Sequence, residues 1–392
     1  MEQDINLNRI LKFSKILDNK GIEFAIIIQN ADMYYFTGVI FQGYLVIQRN
    51  GEYSLHVIKP YERVKLKSDL SNINSIRSIK DLFTFFKKNW ENRSLTAGME
   101  LDIVPYSTVE YFKKNTHNIN YIDISREIRT LRSVKDPSEI QMISQAGKIL
   151  ADTFLEISDF IKPEITELQL AAHIEQFMRL SGHQGFLRVR KFNMEIYYGS
   201  LGNTQTVNYP TLFDGPVGNT GLYEAAPYFS GNVVIKKEDT VMVDIMAGYE
   251  GYMADATRTY HLGPENLVLK KRHEFCELIS DMASKEMKPG AIPSEIYFKS
   301  LKMAEEYGYT DNYMGYQSNQ VRFLGHGLGL EIDEFPVLAR GFDSPLETGN
   351  VIAVEPKLFF KDGSVGIENT FEVTTSGGKN LIPLDNKIFF IN

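Results

Sequence analysis

Four acidic residues and one histidine in the C-terminal half carry the chemistry open to this chain. Val241 to Ala247, a turn at Gly248-Tyr249-Glu250-Gly251, and Tyr252 to Thr257 read as a β-hairpin. A turn centred between Tyr249 and Glu250 sets Asp244 directly opposite Asp255, with Cβ atoms roughly 4.5–5.5 Å apart. Like charges facing each other across a sheet are destabilising, so the pair either points into solvent or holds a cation. Asn350 to Pro356 and Val365 to Phe371 form a second hairpin around Lys361-Asp362-Gly363. A turn centred between Lys361 and Asp362 puts Glu355 opposite Glu368; a turn made by Asp362-Gly363 moves the register by two and keeps both on one face. Two hairpins that each present an acidic pair favour the cation over solvated surface.

Between the hairpins lies Gly325-His326-Gly327-Leu328-Gly329-Leu330. Its glycines strip side chains from around the imidazole, as where backbone must approach a ligand closely. His56, His117, His173, His183, His261 and His273 have no such setting and read as structural or surface residues. Four carboxylates and an imidazole make a hard, oxygen-rich donor set whose negative charge two divalent ions neutralise. Mn²⁺, Co²⁺ or Fe²⁺ suit it, Zn²⁺ is an alternative, and Ca²⁺ suits it less because histidine is present. Two such ions roughly 3.5–4 Å apart generate hydroxide near neutral pH and polarise a carbonyl, which is the chemistry of hydrolysis.

The elements that must position these groups come in two textures. Up to about Ile124 the chain reads as a small α/β unit. Leu7, Ile10, Leu11 and Leu17 lie at helical spacing and stop at Gly21, and a strand follows from Glu23 to Ile28. Strands Gly43–Ile47 and Tyr53–Ile58 flank Arg49-Asn50-Gly51, a strong hairpin signal. Ile79, Leu82, Phe83 and Phe86 follow Ser78 as N-cap, and Thr108, Tyr111 and Phe112 mark another helix. From about Glu127 longer helical stripes take over: Ile140, Ile143, Ala146, Ile149, Leu150 and Phe154, then Leu168, Ala171, Ile174, Phe177 and Met178. Beyond Gly199 strands and turns predominate. The expected domains are residues 1–126 and 127–392.

Composition bounds the function. The chain has 392 residues, 42 Lys plus Arg against 50 Asp plus Glu and a net charge of −8, which excludes a generic polyanion binder and gives nucleic acid no basic surface. Cys276 is the single cysteine, so there is no intrachain disulfide and no cysteine-built metal site. The start, Met1-Glu2-Gln3-Asp4-Ile5-Asn6, is polar, and no run approaches the roughly 18 apolar residues of a membrane span. A cytoplasmic protein without membrane contact is expected.

In the order Asp244, Asp255, His326, Glu355, Glu368, with Asp255-Ala-Thr-Arg-Thr, Gly-His-Gly-Leu-Gly-Leu-Glu, Val-Glu-Pro and Ile-Glu-Asn-Thr, the chain resembles the pita-bread metallopeptidases: prolidase, aminopeptidase P and methionine aminopeptidase. Tyr34-Tyr35-Phe36-Thr37-Gly38 is similar to their creatinase-like N-terminal domain, and Leu131-Arg132-Ser133-Val134-Lys135-Asp136-Pro137-Ser138-Glu139-Ile140 to their interdomain signature. The resemblance implies an α+β architecture, a C-terminal pita-bread domain preceded by a smaller N-terminal α/β creatinase-like domain. It makes Asp244 a ligand of one metal alone, Asp255 and Glu368 bridging ligands, and His326 and Glu355 ligands of the second metal, with a bridging hydroxide between two ions, Mn²⁺ first. Glu355 becomes the general base and proton carrier, Thr257 a support behind the metal ligands, and a homodimer the common assembly.

Three positions depart from the family. Asp333 stands where proline-specific members have a second histidine, Pro227-Tyr228 near a further family histidine, and Gly366 where many have arginine. Tyr228, Asp333 and Arg340 are the replacements that can contact substrate, each with a structural role as the alternative. The leading expectation is a metal-dependent exopeptidase cleaving Xaa-Pro bonds in short peptides. A non-peptidase C–N hydrolase or lyase on the same fold is the second, because two histidines and an arginine are replaced. A non-catalytic binding module is the third, disfavoured by the intact donor set.

Overall fold

The computed structural model describes residues 5–91 and 93–392, so the polar residues 1–4 lie outside it. The chain forms two compact units, the first ending at Arg132 and the second spanning Ser133–Asn392. In the first, α1 (Ile5–Asn19), β1 (Phe24–Ile27), α2 (Asn30–Thr37), β2 (Gln42–Gln48) and β3 (Tyr53–Lys59) lead. Next come α3 (Tyr61–Lys67), β4 (Ile73–Ser75), α4 (Ile79–Trp90), β5 (Leu95–Met99), α5 (Tyr106–Asn115), β6 (Ile119–Asp123) and α6 (Ser125–Ser133).

A six-stranded mixed sheet, in the order β4-β3-β2-β1-β5-β6, carries this unit. The β2–β3 hairpin forms around Asn50-Gly51 as its sequence requires, with Ile47 opposite Tyr53 and Gly51 at φ 90°. Ser78 starts α4 through a capping box with Asp81. Leu82, Phe86 and Trp90 on α4 and Val109 and Phe112 on α5 pack onto Phe24, Ile26 and Val46 of the sheet. Tyr111, expected on the inner face of α5, is 41% exposed, because Val109 takes the position that meets the sheet.

The second unit begins with α7 (Pro137–Phe160), α8 (Glu167–Leu180), β7 (Gly199–Asn203), β8 (Thr240–Tyr249), β9 (Tyr252–His261), α9 (Leu267–Glu286) and α10 (Pro293–Glu306). It continues with β10 (Phe323–Gly327), β11 (Glu334–Ala339), β12 (Val351–Val354), β13 (Lys357–Leu358), β14 (Val365–Gly366), β15 (Asn369–Thr374), β16 (Gly377–Asn380) and β17 (Phe389–Phe390). One sheet runs β17-β9-β8-β7, another β11-β10-β12-β15-β16, and β13 pairs with β14 in the stretch of chain between β12 and β15. Asp136 caps α7 by accepting from the amides of Ser138 and Glu139, with Pro137 in the first turn. The buried stripe of α7 runs to Ile157, and on it the Phe154 carbonyl accepts from the Tyr260 hydroxyl of β9 at 2.7 Å.

The β8–β9 hairpin departs from its expected register. Asp244 faces Thr257 and Asp255 faces Met246, so the two aspartates are diagonal neighbours on one face and not an opposed pair. The cause lies in the turn. Glu250 and Gly251 both take positive φ, 46° and 90°, which makes them the central residues of a primed two-residue turn and moves the centre one residue along the chain. A register change of two preserves which side chains share a face.

Two predictions follow from these local features. Gly251→Ala, forced into the same φ, should lose about 1–2 kcal/mol in urea denaturation; an unchanged midpoint would refute the turn assignment. Burial lowers the pKa of His56, in the first unit, from 6.5 to about 4. The unfolded chain takes up that proton first, so the associated stability is complete above about pH 6.5 and is lost as pH falls toward 4. Between pH 7 and 4.5 the wild type should therefore lose about 2 kcal/mol more than His56→Gln.

Candidate metal centre

Each acidic group reaches the centre by a different strand. Asp244 comes from the middle of β8, paired to Ser200 on β7 as well as to Thr257 on β9. Asp255 lies on β9. Pro356, with no N–H to give, interrupts the second hairpin just after Glu355. The register is nevertheless the same on both sides of the break: Val354 faces Asn369 above it and Lys357 faces Gly366 below. Glu355 and Glu368 therefore fall across from each other, in the register their spacing predicts. Thr257 and Glu368 form an isolated antiparallel bridge, with amide–carbonyl distances of 3.2 and 3.3 Å, that joins the two hairpins.

His326 completes the cluster from β10. Its Nε2 lies 3.7 Å from Asp255 Oδ2 and 3.9 Å from Glu355 Oε1, and its Nδ1 lies 3.1 Å from the Gly327 carbonyl oxygen. The flanking glycines serve a different purpose from the one expected of them. A Cβ on Gly325 would sit 2.1 Å from the Ala353 carbonyl oxygen, and one on Gly327 2.3 Å from that of Phe335. Neighbouring backbone, not a ligand, needs the space, and a register irregularity between His326 and Gly327 turns the imidazole inward.

Two trios of donor atoms result among the described residues: Asp255, His326 and Glu368, and Asp244, Glu355 and Glu368. Asp255 Oδ1 is buried and has no hydrogen-bond partner. Burial first, then the neighbouring Glu368 and Asp244, pushes the Asp255 carboxyl well above its usual range; burial raises Asp244 to about 6, opposed by Lys357. Buried carboxylates that repel one another, with one oxygen left unpartnered, fit a bound divalent cation.

Sequence reasoning missed Lys357. It is wholly buried, and its ammonium lies 2.6 Å from Glu355 Oε2, 2.9 Å from Glu368 Oε2 and 3.3 Å from Asp244 Oδ2. Burial alone would lower its pKa, but the three carboxylates together more than reverse that and hold it well above the ordinary lysine value. A signal was present: residue 357 lies two positions beyond Glu355, the pleat repeat that returns a side chain to the same face. Gly366, at the position where many of the family have arginine, makes the room, since a Cβ there would meet Lys357 Cγ at 2.4 Å.

Hydrogen bonds fix the donors in place. The Thr257 hydroxyl donates to Glu368 Oε2 at 2.8 Å, and the Asp255 amide donates to the Thr370 hydroxyl at 3.0 Å. Buried Arg258 donates to the carbonyls of Thr257 and Glu368 and to Asn369 Oδ1, holding the hairpins together.

Of the three residues expected at substrate, Asp333 lines the cleft, its Oδ1 3.8 Å from His326 Nδ1. The Tyr228 hydroxyl instead donates to Glu195 at 3.4 Å, and the Arg340 guanidinium lies over the Phe298 ring, outside the residues that line the cleft. Arg258→Met, which removes a buried charge-assisted donor from the carbonyls of Thr257 and Glu368 and takes the guanidinium from Asn369 Oδ1, should destabilise the protein by about 3 kcal/mol or more in denaturant unfolding. A loss under about 1 kcal/mol would show that the hairpins do not need this clamp.

The chain matches metallopeptidase family M24 over residues 141–375 and the creatinase/prolidase N-terminal domain over residues 9–134. An Xaa-Pro dipeptidase of Pyrococcus furiosus is 27% identical over 388 residues, 97% of this chain and 99% of that protein. Solved structures agree in fold. The prolidase from Pyrococcus furiosus superposes with a TM-score of 0.76 at 25% identity, covering 95% of this chain and 99% of that one. The X-Pro aminopeptidase from Thermotoga maritima gives 0.79 at 24% identity, covering 95% and 98%. With a creatinase-type N-terminal domain ahead of a pita-bread C-terminal domain, the chain belongs to metallopeptidase family M24 and is a peptidase.

Proposed function

We propose that this peptidase is a metal-dependent exopeptidase that hydrolyses short peptides at Xaa-Pro bonds, of the prolidase or aminopeptidase P type. The observation that carries the reading is the convergence of Asp244, Asp255, His326, Glu355 and Glu368 on one cleft, with Asp255 Oδ1 buried and unpartnered. A divalent ion held by these residues, Mn²⁺ ahead of Co²⁺, Fe²⁺ or Zn²⁺, would polarise the scissile carbonyl and acidify water. How many ions bind is a separate question, because Lys357 already stands among three of the carboxylates.

The chain's own residues supply the rest. Lys357 holds Glu355 Oε2, while Glu355 Oε1 faces His326, which leaves that oxygen to take a proton from the attacking water and pass it to the leaving nitrogen. Met194, Ile196, Phe213 and Ile332 form an apolar wall beside the acidic floor of the cleft. That wall complements a pyrrolidine ring. The dipeptidase name of the Pyrococcus furiosus relative points the same way. Homodimeric assembly in the cytoplasm belongs to the same reading; among the described residues no helix is long and apolar enough to cross a membrane.

Asp333 in place of a family histidine favours one competing reading, hydrolysis or elimination at a C–N bond of a small non-peptide molecule. Proline release from a panel of Xaa-Pro dipeptides decides between them. The expected result is release that a chelator abolishes and Mn²⁺ restores; silence on peptides with turnover of a small amide would assign the second reading. Glu355→Gln should keep the fold and lower kcat about 10²–10⁴-fold, and an unchanged kcat would remove Glu355 from the proton path.

A further inference from the structure

The two donor trios are not equivalent. All three carboxylates of the trio Asp244, Glu355 and Glu368 touch the Lys357 ammonium, at 3.3, 2.6 and 2.9 Å. An ammonium has three N–H donors, and here three carboxylate oxygens lie within reach of it. The other trio, Asp255, His326 and Glu368, has no such occupant, and Asp255 Oδ1 on that side is the buried oxygen without a partner.

The backbone makes this arrangement durable. Lys357 lies in a strand paired to Gly366, and a side chain at 366 would collide with the lysine stem 2.4 Å away. Lysine and glycine are thus fitted to each other across the pair, and the lysine side chain, wholly buried, has a prepared channel to the carboxylates. Charge agrees with geometry: an ammonium and one divalent ion bring three positive charges to four carboxylates, and a second divalent ion would have to enter against the ammonium.

We propose that Lys357 is a resident cation standing in for one divalent ion, so that the centre takes a single ion per chain, on the side of Asp255, His326 and Glu368. This rests on the metal-dependent reading above. It makes Lys357 a positioning residue, one that holds Glu355 and Glu368 at fixed places beside the ion.

The test loads the full-length purified chain with excess Mn²⁺, removes free metal, and measures bound Mn²⁺ by mass spectrometry together with its electron paramagnetic resonance. About one Mn²⁺ per chain with the six-line spectrum of an isolated ion is expected for wild type. Lys357→Ala should bind about two and show the broadened multiline spectrum of a coupled pair. Two coupled ions in wild type, or one ion in both proteins, would overturn the proposal while leaving a metal-dependent peptidase in place. Absence of bound metal with undiminished proline release would instead defeat the metal-dependent reading. Lys357→Gln, which keeps the volume but not the charge, guards against poor folding of the alanine variant. Its melting temperature should rise more on adding Mn²⁺ than that of wild type, and an equal rise would count against a stand-in role for the lysine charge.

Discussion

Mutual repulsion among four carboxylates buried in one small cavity is the constraint on which the catalytic unit depends. Asp244, Asp255, Glu355 and Glu368 are all at most 7% exposed, and burial is the largest cause of the raised pKa of each. A fold that assembles such a group must hold it rigidly and answer its charge, because an uncompensated buried ion costs several kcal/mol. The first requirement is met by backbone pairing and one buried guanidinium. Strands β8 and β9 and the second hairpin are locked to each other by the Thr257–Glu368 bridge and by Arg258, whose guanidinium serves the carbonyls of Thr257 and Glu368.

The charge is answered unevenly. On one side a lysine ammonium lies among three carboxylates; on the other stand an imidazole and a buried carboxylate oxygen without a hydrogen-bond partner. This asymmetry divides the labour. Lys357 draws on Glu355 Oε2 and Glu368 Oε2, orienting the remaining oxygen of Glu355 toward the cleft, while the Asp255 and His326 side keeps its donors open. Catalysis by polarisation gains from such an arrangement, because dipoles and charges already in place need no reorganisation when charge develops on a substrate carbonyl. Met194, Ile196, Phe213 and Ile332 add an apolar, low-dielectric wall to the cleft, beside which such interactions are stronger than in water.

The family was legible from the spacing of a handful of residues. So were the local devices: the Asn50-Gly51 hairpin, the capping boxes of Ser78 with Asp81 and Asp136 with Glu139, and the buried stripe of α7. Each depends on residues close in sequence, so the local pattern contains the whole interaction. The gathering of Asp244 with Asp255, and of Glu355 with Glu368, also survives an error in the turn, because a two-residue slip leaves a strand's faces unchanged.

What tertiary structure decided is of a different kind. The turn that sets the β8–β9 register uses positive φ at Glu250, a residue that carries no signature for it, so the diagonal placement of the aspartates had to be seen. The glycines around His326 yield to the carbonyls of Ala353 and Phe335, on the two strands that flank β10 in the sheet. Lys357 is the plainest case. By itself a lysine after Glu355-Pro356 reads as a solvated side chain, and only the pairing with Gly366 and the burial of that strand turn its ammonium into the cavity. Sequence alone brought Asp244 together with Asp255 and Glu355 together with Glu368 on shared faces, because strand periodicity is local; that a lysine ammonium sits among them depended on long-range packing, which buries that strand and opens room at Gly366.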